Sequence, residues 1–213
     1  FAYLPGLLAR QPLVQAALVD DVGVFTPQVN TYLKAVAERS GAEAIYLLNR
    51  DGTTVSASNH DSDDSFVGHR YPFRPYFRDA MSGGEGAYFA IGNTTRRPGY
   101  FVSTAVTGGS DNHSLGALAL KISLESLQDS WRQAGEKVLL SDANGVVILS
   151  SRPEWRYRHL GELSAQALAA IRDQRQFAGY ALAPLGERLR DGSLRLGDTG
   201  LGERFLTLEL HLP

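Results

Sequence analysis

Residues 71–77 read YPFRPYF, so one arginine lies among four aromatic side chains and between two prolines. The planar guanidinium group of arginine stacks on aromatic rings and forms paired hydrogen bonds with carboxylates and phosphates. An arginine that serves only solubility needs no such neighbours. The stretch therefore predicts an anion-binding site in which Arg74 supplies the positive charge and Tyr71 and Tyr76 supply further contacts.

A second cation is predicted on the strand 115–122, which reads LGALALKI. The side chains of a strand alternate between its two faces, which puts Lys121 on the same face as two alanines. The small alanines leave a hollow beside the lysine, and a buried lysine is unfavourable unless it meets an anion. This face therefore predicts a cavity with Lys121 as its second cation.

Hydroxyl groups complete the predicted cavity. The strand 100–106 alternates in the same way and places Ser103 on the wall, and the turn GNTTRRPG before it adds two threonines. A cation at each end and hydroxyls along the wall match a short molecule with two carboxylates. The predicted ligand-binding residues are Tyr71, Arg74, Tyr76, Thr94, Thr95, Ser103 and Lys121.

Each of these residues also has a purely structural interpretation. Arg74 alone is compatible with an internal ion pair, and Lys121 alone is compatible with a strand end whose ammonium group reaches water. Tyr71 and Tyr76, taken singly, are compatible with aromatic residues of the core. The presence of all four residues in one chain favours the binding-site interpretation over these structural interpretations.

An internal repeat predicts the elements that position these residues. EAIYLLNRDGTTVSAS begins at Glu43, and EKVLLSDANGVVILSS begins at Glu136, 93 residues later. Each copy reads as two apolar strands joined by a turn that ends in D-G or N-G, which is typical of a tight hairpin. The same offset carries Gly68 onto Gly161, so two landmarks agree in register. We interpret the chain as two copies of one PAS-like module.

Periodicity and turn signals predict the elements around the two hairpins. In the first copy they predict a helix over 72–82 that ends at a glycine pair, with Tyr71 and Arg74 on one helical face. Three strands follow, at 87–92, 100–106 and 115–122. In the second copy they predict a helix with Ser164 as its N-cap. Strands at 177–183 and 204–212 follow, joined by a long loop that has room for a short strand.

The predicted fold class is α+β, with a long N-terminal helix followed by two tandem PAS-like modules with antiparallel sheets. The predicted parts are a helical stalk over 1–40, a ligand-binding module over 41–122, a helical linker over 123–134 and a second module over 135–213. Prolines at positions 5, 12 and 27 interrupt the helical pattern of the stalk. The second copy has serine and alanine residues where the first has its tyrosines and arginine, so we expect ligand only in the first module.

Composition excludes several classes of function. The chain has 213 residues, a net charge of −2 and no cysteine, so it offers no basic surface for nucleic acid, no disulfide and no thiolate metal site. No apolar run approaches the ~20 residues that a membrane-spanning helix needs. HDSDD at 60–64 lacks the spacing of a calcium-binding loop. We predict no metal, no cofactor and no catalysis in this chain.

Several segments resemble one family of sensor proteins. They are SFVGHRYPFRPYFRDAMSGGEGAYFAIGNTTRRPGYFVSTAV, LGALALKISLESLQDSW and LLSDANGVVILSSRPEWRYRHL. These segments are similar to the extracytoplasmic sensor region of C4-dicarboxylate sensor histidine kinases of the DctB type, which has a double Cache architecture. The resemblance covers nearly the whole chain, and RPYF and SRPEWRY are its most specific parts.

The resemblance implies a function and a place in the cell. It implies binding of succinate, fumarate or malate in the membrane-distal module, a homodimer through the N-terminal helix, and signalling to a cytoplasmic kinase and response regulator. It also implies that this region is the periplasmic part of a bacterial inner-membrane protein. The family's tyrosine, arginine and lysine contacts match Tyr71, Arg74 and Lys121, and its threonine falls at Thr94 or Thr95.

Two rival functions use the same predicted fold. An amino-acid-sensing Cache domain of a chemoreceptor needs an acidic residue for the ligand's ammonium group, and the nearest acid, Asp111, falls in a predicted turn. A ligand-free dimerisation module would have to retain two unpaired cations in a hollow, which would cost stability. Both considerations favour a site for two carboxylates.

Overall fold

The computed structural model describes residues 3–20, 22–108, 113–177, 179–189, 191, 193–196 and 204–206. The chain divides into two compact units, Phe1–Ser123 and Leu124–Pro213. The finer division into a stalk, two modules and a linker stays a prediction.

The region predicted as one N-terminal helix forms three helices. They are α1 (Leu4–Ala9), α2 (Pro12–Val19) and α3 (Thr26–Ser40). The prediction of a single long helix is therefore wrong for the residues that the structure describes. Pro12 begins α2, and Gln11 before it is extended with ψ 128°, because a proline disfavours helical geometry in the preceding residue and suits the first turn of a new helix. Gly41 ends α3 in the left-handed region, with φ 74°.

The first unit contains a five-stranded antiparallel sheet and one more helix. Its elements are β1 (Ala44–Asn49), β2 (Thr54–Ala57), α4 (Pro75–Met81), β3 (Glu85–Ile91), β4 (Pro98–Gly108) and β5 (His113–Ile122). The strand order is β2-β1-β5-β4-β3, and every neighbouring pair is antiparallel. The three strands predicted after α4 are confirmed, with ends that differ by two residues or fewer.

The two faces of this sheet are both buried. On one face, Leu47, Leu118 and Leu120 pack in a cluster with Leu33 of α3. On the other face, aromatic residues and alanines pack around α4. The predicted alternation over 117–120 of β5 is confirmed, because Leu118 and Leu120 lie on the first face and Ala117 and Ala119 on the second. The second face holds the candidate site.

The hairpins at the two copies of the repeat share one geometry. In the second unit the hairpin consists of β6 (Leu139–Ser141) and β7 (Val147–Ser150). Gly52 and Gly145 both adopt left-handed backbone angles, with φ 74° and 79°, which suits the predicted D-G and N-G turns. Tyr46 pairs with Ala57 and Leu139 pairs with Ser150, so the pairing registers match at the offset of the repeat. The two hairpins are confirmed; the equivalence of the whole modules stays a prediction.

The second unit is less regular. Its other elements are α5 (Glu125–Ala134), a 3-10 turn (Pro153–Trp155), β8 (His159–Leu160), α6 (Ala165–Asp173), β9 (Pro184–Arg188), β10 (Leu194–Leu196) and β11 (Arg204–Phe205). A four-stranded sheet has the order β11-β10-β9-β8. Its β8–β9 pair is parallel, which departs from the prediction of antiparallel sheets. The Ser164 cap is confirmed, since its side chain accepts a hydrogen bond from the backbone of Ala167.

The predicted strand 177–183 is wrong. The Tyr180 backbone donates to the Phe177 carbonyl, and Gly179 has φ 95°. Because of this turn the strand begins later in the sequence than predicted, at Pro184, as β9. Of the last predicted strand, 204–212, residues 204 and 205 form β11, and 207–212 lie outside the described residues. No helix in the described part of the chain combines the length and apolarity needed to cross a membrane.

Candidate ligand-binding site

Arg74 lies at the N-terminus of α4 and not within it. Its backbone is extended, with φ −78° and ψ 132°, because Pro75 follows and begins the helix. The predicted helix over 72–82 is therefore too long at its start, and Tyr71 and Arg74 do not share a helical face as predicted. A turn brings them together instead, since the Arg74 backbone donates to the Tyr71 carbonyl at 3.0 Å. The predicted C-terminus is confirmed by Gly83, with φ 86°.

A cavity opens between α4, the sheet and the loop that joins β3 to β4. Its enclosed space is small, about 10 Å³, and the space reaches about 230 Å³ only when the part open to solvent is included. The residues that line it are Tyr46, Phe66, Tyr71, Arg74, Tyr76, Gly92, Asn93, Thr94 and Phe101. Among the described lining residues, Arg74 is the one charged side chain. The wall thus combines one positive charge with several hydroxyl groups.

The Arg74 guanidinium is almost completely buried, with 1% of the residue exposed. Its Nη2 donates to the Ile91 carbonyl at 2.8 Å, and its central carbon lies 5.3 Å from the centre of the Phe73 ring. A cation over an aromatic face is stabilised by the ring's electrons. These contacts fix the guanidinium in the wall of the cavity.

Three tyrosine hydroxyls lie around the same cavity. The Tyr46 hydroxyl donates to that of Tyr76 at 2.8 Å, and the Tyr71 hydroxyl is 2.6 Å from Thr94 Oγ1. Tyr76 also stacks on Phe101 with ring centres 5.1 Å apart. Burial raises the pKa of all three tyrosine hydroxyls above the ordinary value, so they stay neutral at physiological pH. Neutral hydroxyls donate hydrogen bonds to an anion.

Lys121 lies on the cavity face of the sheet but does not line the cavity. It is directly opposite Ala44 on one neighbouring strand and Phe101 on the other. Its Nζ contacts Glu43 Oε1 at 2.6 Å and Thr95 Oγ1 at 2.9 Å. Burial lowers the pKa of the Lys121 ammonium, and the ion pair with Glu43 opposes this shift. The sequence disfavoured a ligand-free module because Lys121 would then be buried without an anionic partner. Glu43 is such a partner, so the burial of Lys121 is also compatible with a ligand-free module.

Ser103 has a structural contact in place of the predicted position on the cavity wall. Its hydroxyl donates to the Tyr76 carbonyl at 2.7 Å and is buried. This hydrogen bond ties α4 to β4. Of the predicted contacts, Tyr71, Arg74, Tyr76 and Thr94 meet at the cavity, Thr95 and Lys121 lie together beside it, and Ser103 supports the helix.

Comparisons with known proteins identify the chain's relatives. The chain is 33% identical over 99% of its length to the C4-dicarboxylate transport sensor protein DctB of Rhizobium meliloti. It is 40% identical, also over 99% of its length, to the protein of the same name from Pseudomonas aeruginosa. The chain is homologous to the DctB sensor domain. It spans about a third of the length of these two relatives, 35% and 34%.

A solved DctB structure supports the same relationship. The sensor domain of the V. cholerae histidine kinase DctB superposes with a TM-score of 0.84 at 27% identity, over 93% of this chain and 78% of that one. No family model matches the chain. The α+β fold with its five-stranded antiparallel sheet is thus that of a DctB sensor domain.

Sequence reasoning missed two residues at the candidate site. Tyr46 lines the cavity, and its equivalent in the second copy of the repeat is Leu139. A comparison of the copies over the first hairpin would have found this difference. Glu43, the partner of Lys121, corresponds to Glu136 in the second copy, so the repeat gives no signal for it.

Proposed function

We propose that this chain is the periplasmic ligand-sensing domain of a DctB-type sensor histidine kinase and that it binds a C4-dicarboxylate in the cavity beside α4. The observation that carries the proposal is the buried guanidinium of Arg74 in a wall of neutral hydroxyl groups. A carboxylate is the matching ligand for such a wall, because arginine binds it through two parallel hydrogen bonds.

One carboxylate of the ligand is assigned to Arg74, Tyr71 and Tyr76. Thr94 Oγ1 already bonds to Tyr71, so the pair presents hydroxyls on the side of the cavity facing the loop. Lys121 is assigned to the second carboxylate together with Thr95. The contact between Lys121 and Thr95, the neighbour of the cavity-lining Thr94, supports this assignment.

The relatives' names support the class of ligand. Both curated relatives carry the words C4-dicarboxylate and sensor in their names, and the solved structure is that of a histidine kinase sensor domain. Succinate, fumarate and malate are the ligands we expect. A periplasmic position, a membrane-embedded kinase and a cytoplasmic response regulator follow as parts of the same proposal.

A homodimer through the N-terminal helices is part of the proposal. Large apolar side chains are exposed along this region, which is typical of a surface that another protein covers. They are Tyr3, Leu7, Val19, Val22, Val24 and Phe25. Ligand binding signals in such a dimer only if it favours one arrangement of the subunits over another.

Titration calorimetry with a panel of small ligands tests the proposal. We expect succinate, fumarate or malate to bind, and butyrate to bind far more weakly because it lacks the second carboxylate. L-Alanine and L-aspartate belong in the panel, because Glu43 is an acid beside the cavity that an amino group would contact. Tighter binding of an amino acid than of any dicarboxylate would favour the chemoreceptor-type function, and no binding by any compound would favour a ligand-free module.

A further inference from the structure

Glu43 and Lys121 form an ion pair beside the cavity. The Glu43 backbone N–H donates to the Lys121 carbonyl at 2.9 Å, and the side chains meet at 2.6 Å. The Lys121 side chain is fully buried, whereas the Glu43 side chain keeps 20% of its surface exposed. The backbone hydrogen bond therefore holds the two residues next to each other. Of the two side chains, that of Glu43 is the more accessible to solvent.

Two glycines leave room for the Lys121 side chain beside the cavity. The stem of Lys121 lies against Gly99, where an added Cβ would be 2.6 Å from Cε. A Cβ added at Gly92 would be 3.4 Å from Nζ, and Gly92 itself lines the cavity. The ammonium group thus lies directly behind the cavity wall, within a short movement of a ligand inside it.

We propose that Glu43 is a specificity-determining residue that competes with the ligand for Lys121. This inference rests on the proposed function, since it concerns the second carboxylate of the same ligand. Without ligand, Glu43 neutralises the ammonium group. A ligand with one carboxylate satisfies Arg74 and leaves the pair intact, whereas a ligand with two must take Lys121 from Glu43.

The competition has a direct electrostatic cause. Charges a few ångströms apart interact strongly where water is excluded, so the Glu43 carboxylate repels a second carboxylate that approaches Lys121. Only a ligand whose second carboxylate reaches the ammonium group offsets this repulsion. The ion pair therefore weakens the binding of every dicarboxylate relative to a monocarboxylate, and it does so least for a dicarboxylate long enough to reach Lys121.

The variant Glu43→Gln tests the inference by calorimetry. We expect it to bind succinate on the order of tenfold more tightly than the parent chain and to bind butyrate with unchanged affinity. Glu85→Gln is the matched control, because it removes one exposed negative charge at the end of β3 remote from Gly92, and it should change neither affinity. Glu43→Gln in a Lys121→Met background should lose the gain, since Glu43 acts through Lys121.

Each outcome separates this inference from the proposed function. Succinate binding by the parent chain with equal or weaker binding by Glu43→Gln would overturn the inference and leave the proposed function intact. An equal gain for butyrate and succinate would also overturn it, because a general charge effect needs no competition. Failure of the parent chain to bind any dicarboxylate would overturn the proposed function itself. Thermal denaturation without ligand establishes that each variant is folded.

Discussion

Arg74 determines the charge of the cavity, because it is the one charged side chain among the described lining residues. Its burial and its bond to the Ile91 carbonyl hold the guanidinium in place before a ligand arrives. Preorganised charge strengthens binding because little conformational freedom is lost on association. We therefore expect Arg74 to contribute more to the proposed anion binding than any other described residue of the cavity lining.

Replacing Arg74 with methionine should reduce succinate affinity by on the order of 2–5 kcal/mol of binding free energy, because a buried charged contact is lost. Arg74→Lys should bind with intermediate affinity, since it keeps the charge and loses the paired geometry. Calorimetry measures both. Lys34→Met is the control, because Lys34 is a half-exposed cation of the same unit that pairs with Asp61. Unchanged succinate binding by a folded Arg74→Met protein would refute the assignment.

The buried tyrosines predict a loss of stability at alkaline pH. Burial raises the pKa of Tyr46, Tyr71 and Tyr76 above the ordinary 10.0, so the folded state retains protons that the unfolded state releases. Their stabilising contribution is complete below pH 10 and is lost as the pH rises further. We expect the free energy of unfolding, measured with urea, to fall above about pH 10.

Tyr76→Phe isolates this contribution. The variant lacks one of the three hydroxyls, so its free energy of unfolding should fall less steeply with pH than that of the parent chain. The lowered pKa of Lys121 acts in the opposite direction but is common to both proteins. Parallel pH profiles for the two proteins would mean that the hydroxyl of Tyr76 does not titrate with a raised pKa.

At the scale of elements, the contact between α4 and the sheet depends on a glycine. A Cβ at Gly86 would lie 2.3 Å from the Tyr76 carbonyl and 2.4 Å from Ser103 Oγ. The backbone of α4 thus approaches β3 as closely as a glycine allows. This approach sets the position of Tyr76 and therefore the width of the cavity.

Gly86→Ala should destabilise the chain by about 1–3 kcal/mol, the usual cost of overpacking, because the helix must move away from the sheet. Gly6→Ala is the matched control, since a Cβ there meets nothing within 4 Å and alanine favours the helix. Urea unfolding measures both changes. Equal stability of Gly86→Ala and the parent chain would contradict the described packing of α4.

The elements that the sequence predicted best are those with strong local signals. The turns at Gly52 and Gly145 follow from D-G and N-G, and the Ser164 cap follows from a side chain that bonds its own helix. The element boundaries were predicted wrongly where a single proline or glycine changed the backbone conformation despite the periodicity of the apolar residues. Pro75 shortens α4 at its start, and the turn at Gly179 displaces β9.

Part of the site depends on contacts between residues distant in the chain, which a local pattern cannot predict. Glu43 meets Lys121 because β1 and β5 are neighbours in the sheet. Ser103 alternates onto the correct face but is covered by α4, so its hydroxyl bonds the helix backbone. Residue type and alternation predicted the cavity face; the order of the strands decided which residues line it.

At the scale of the whole molecule, the proposed homodimer predicts an effect of the exposed N-terminal side chains. Leu7 is 55% exposed on α1, so Leu7→Glu should weaken self-association without unfolding the chain, because a charge replaces apolar contact area. Sedimentation equilibrium measures the change. Leu127→Glu is the control, since Leu127 is comparably exposed on α5. Equal association of both variants would contradict the proposal that this surface forms the dimer interface. A parent chain that is monomeric at every concentration would contradict it as well.

A crystal structure of the chain with succinate tests the central claim most directly. We predict one succinate in the first unit, with one carboxylate on Arg74 and the tyrosine hydroxyls and the other on Lys121 and Thr95. Density for succinate in the second unit alone, or in the first unit without contact to Arg74, would contradict the account.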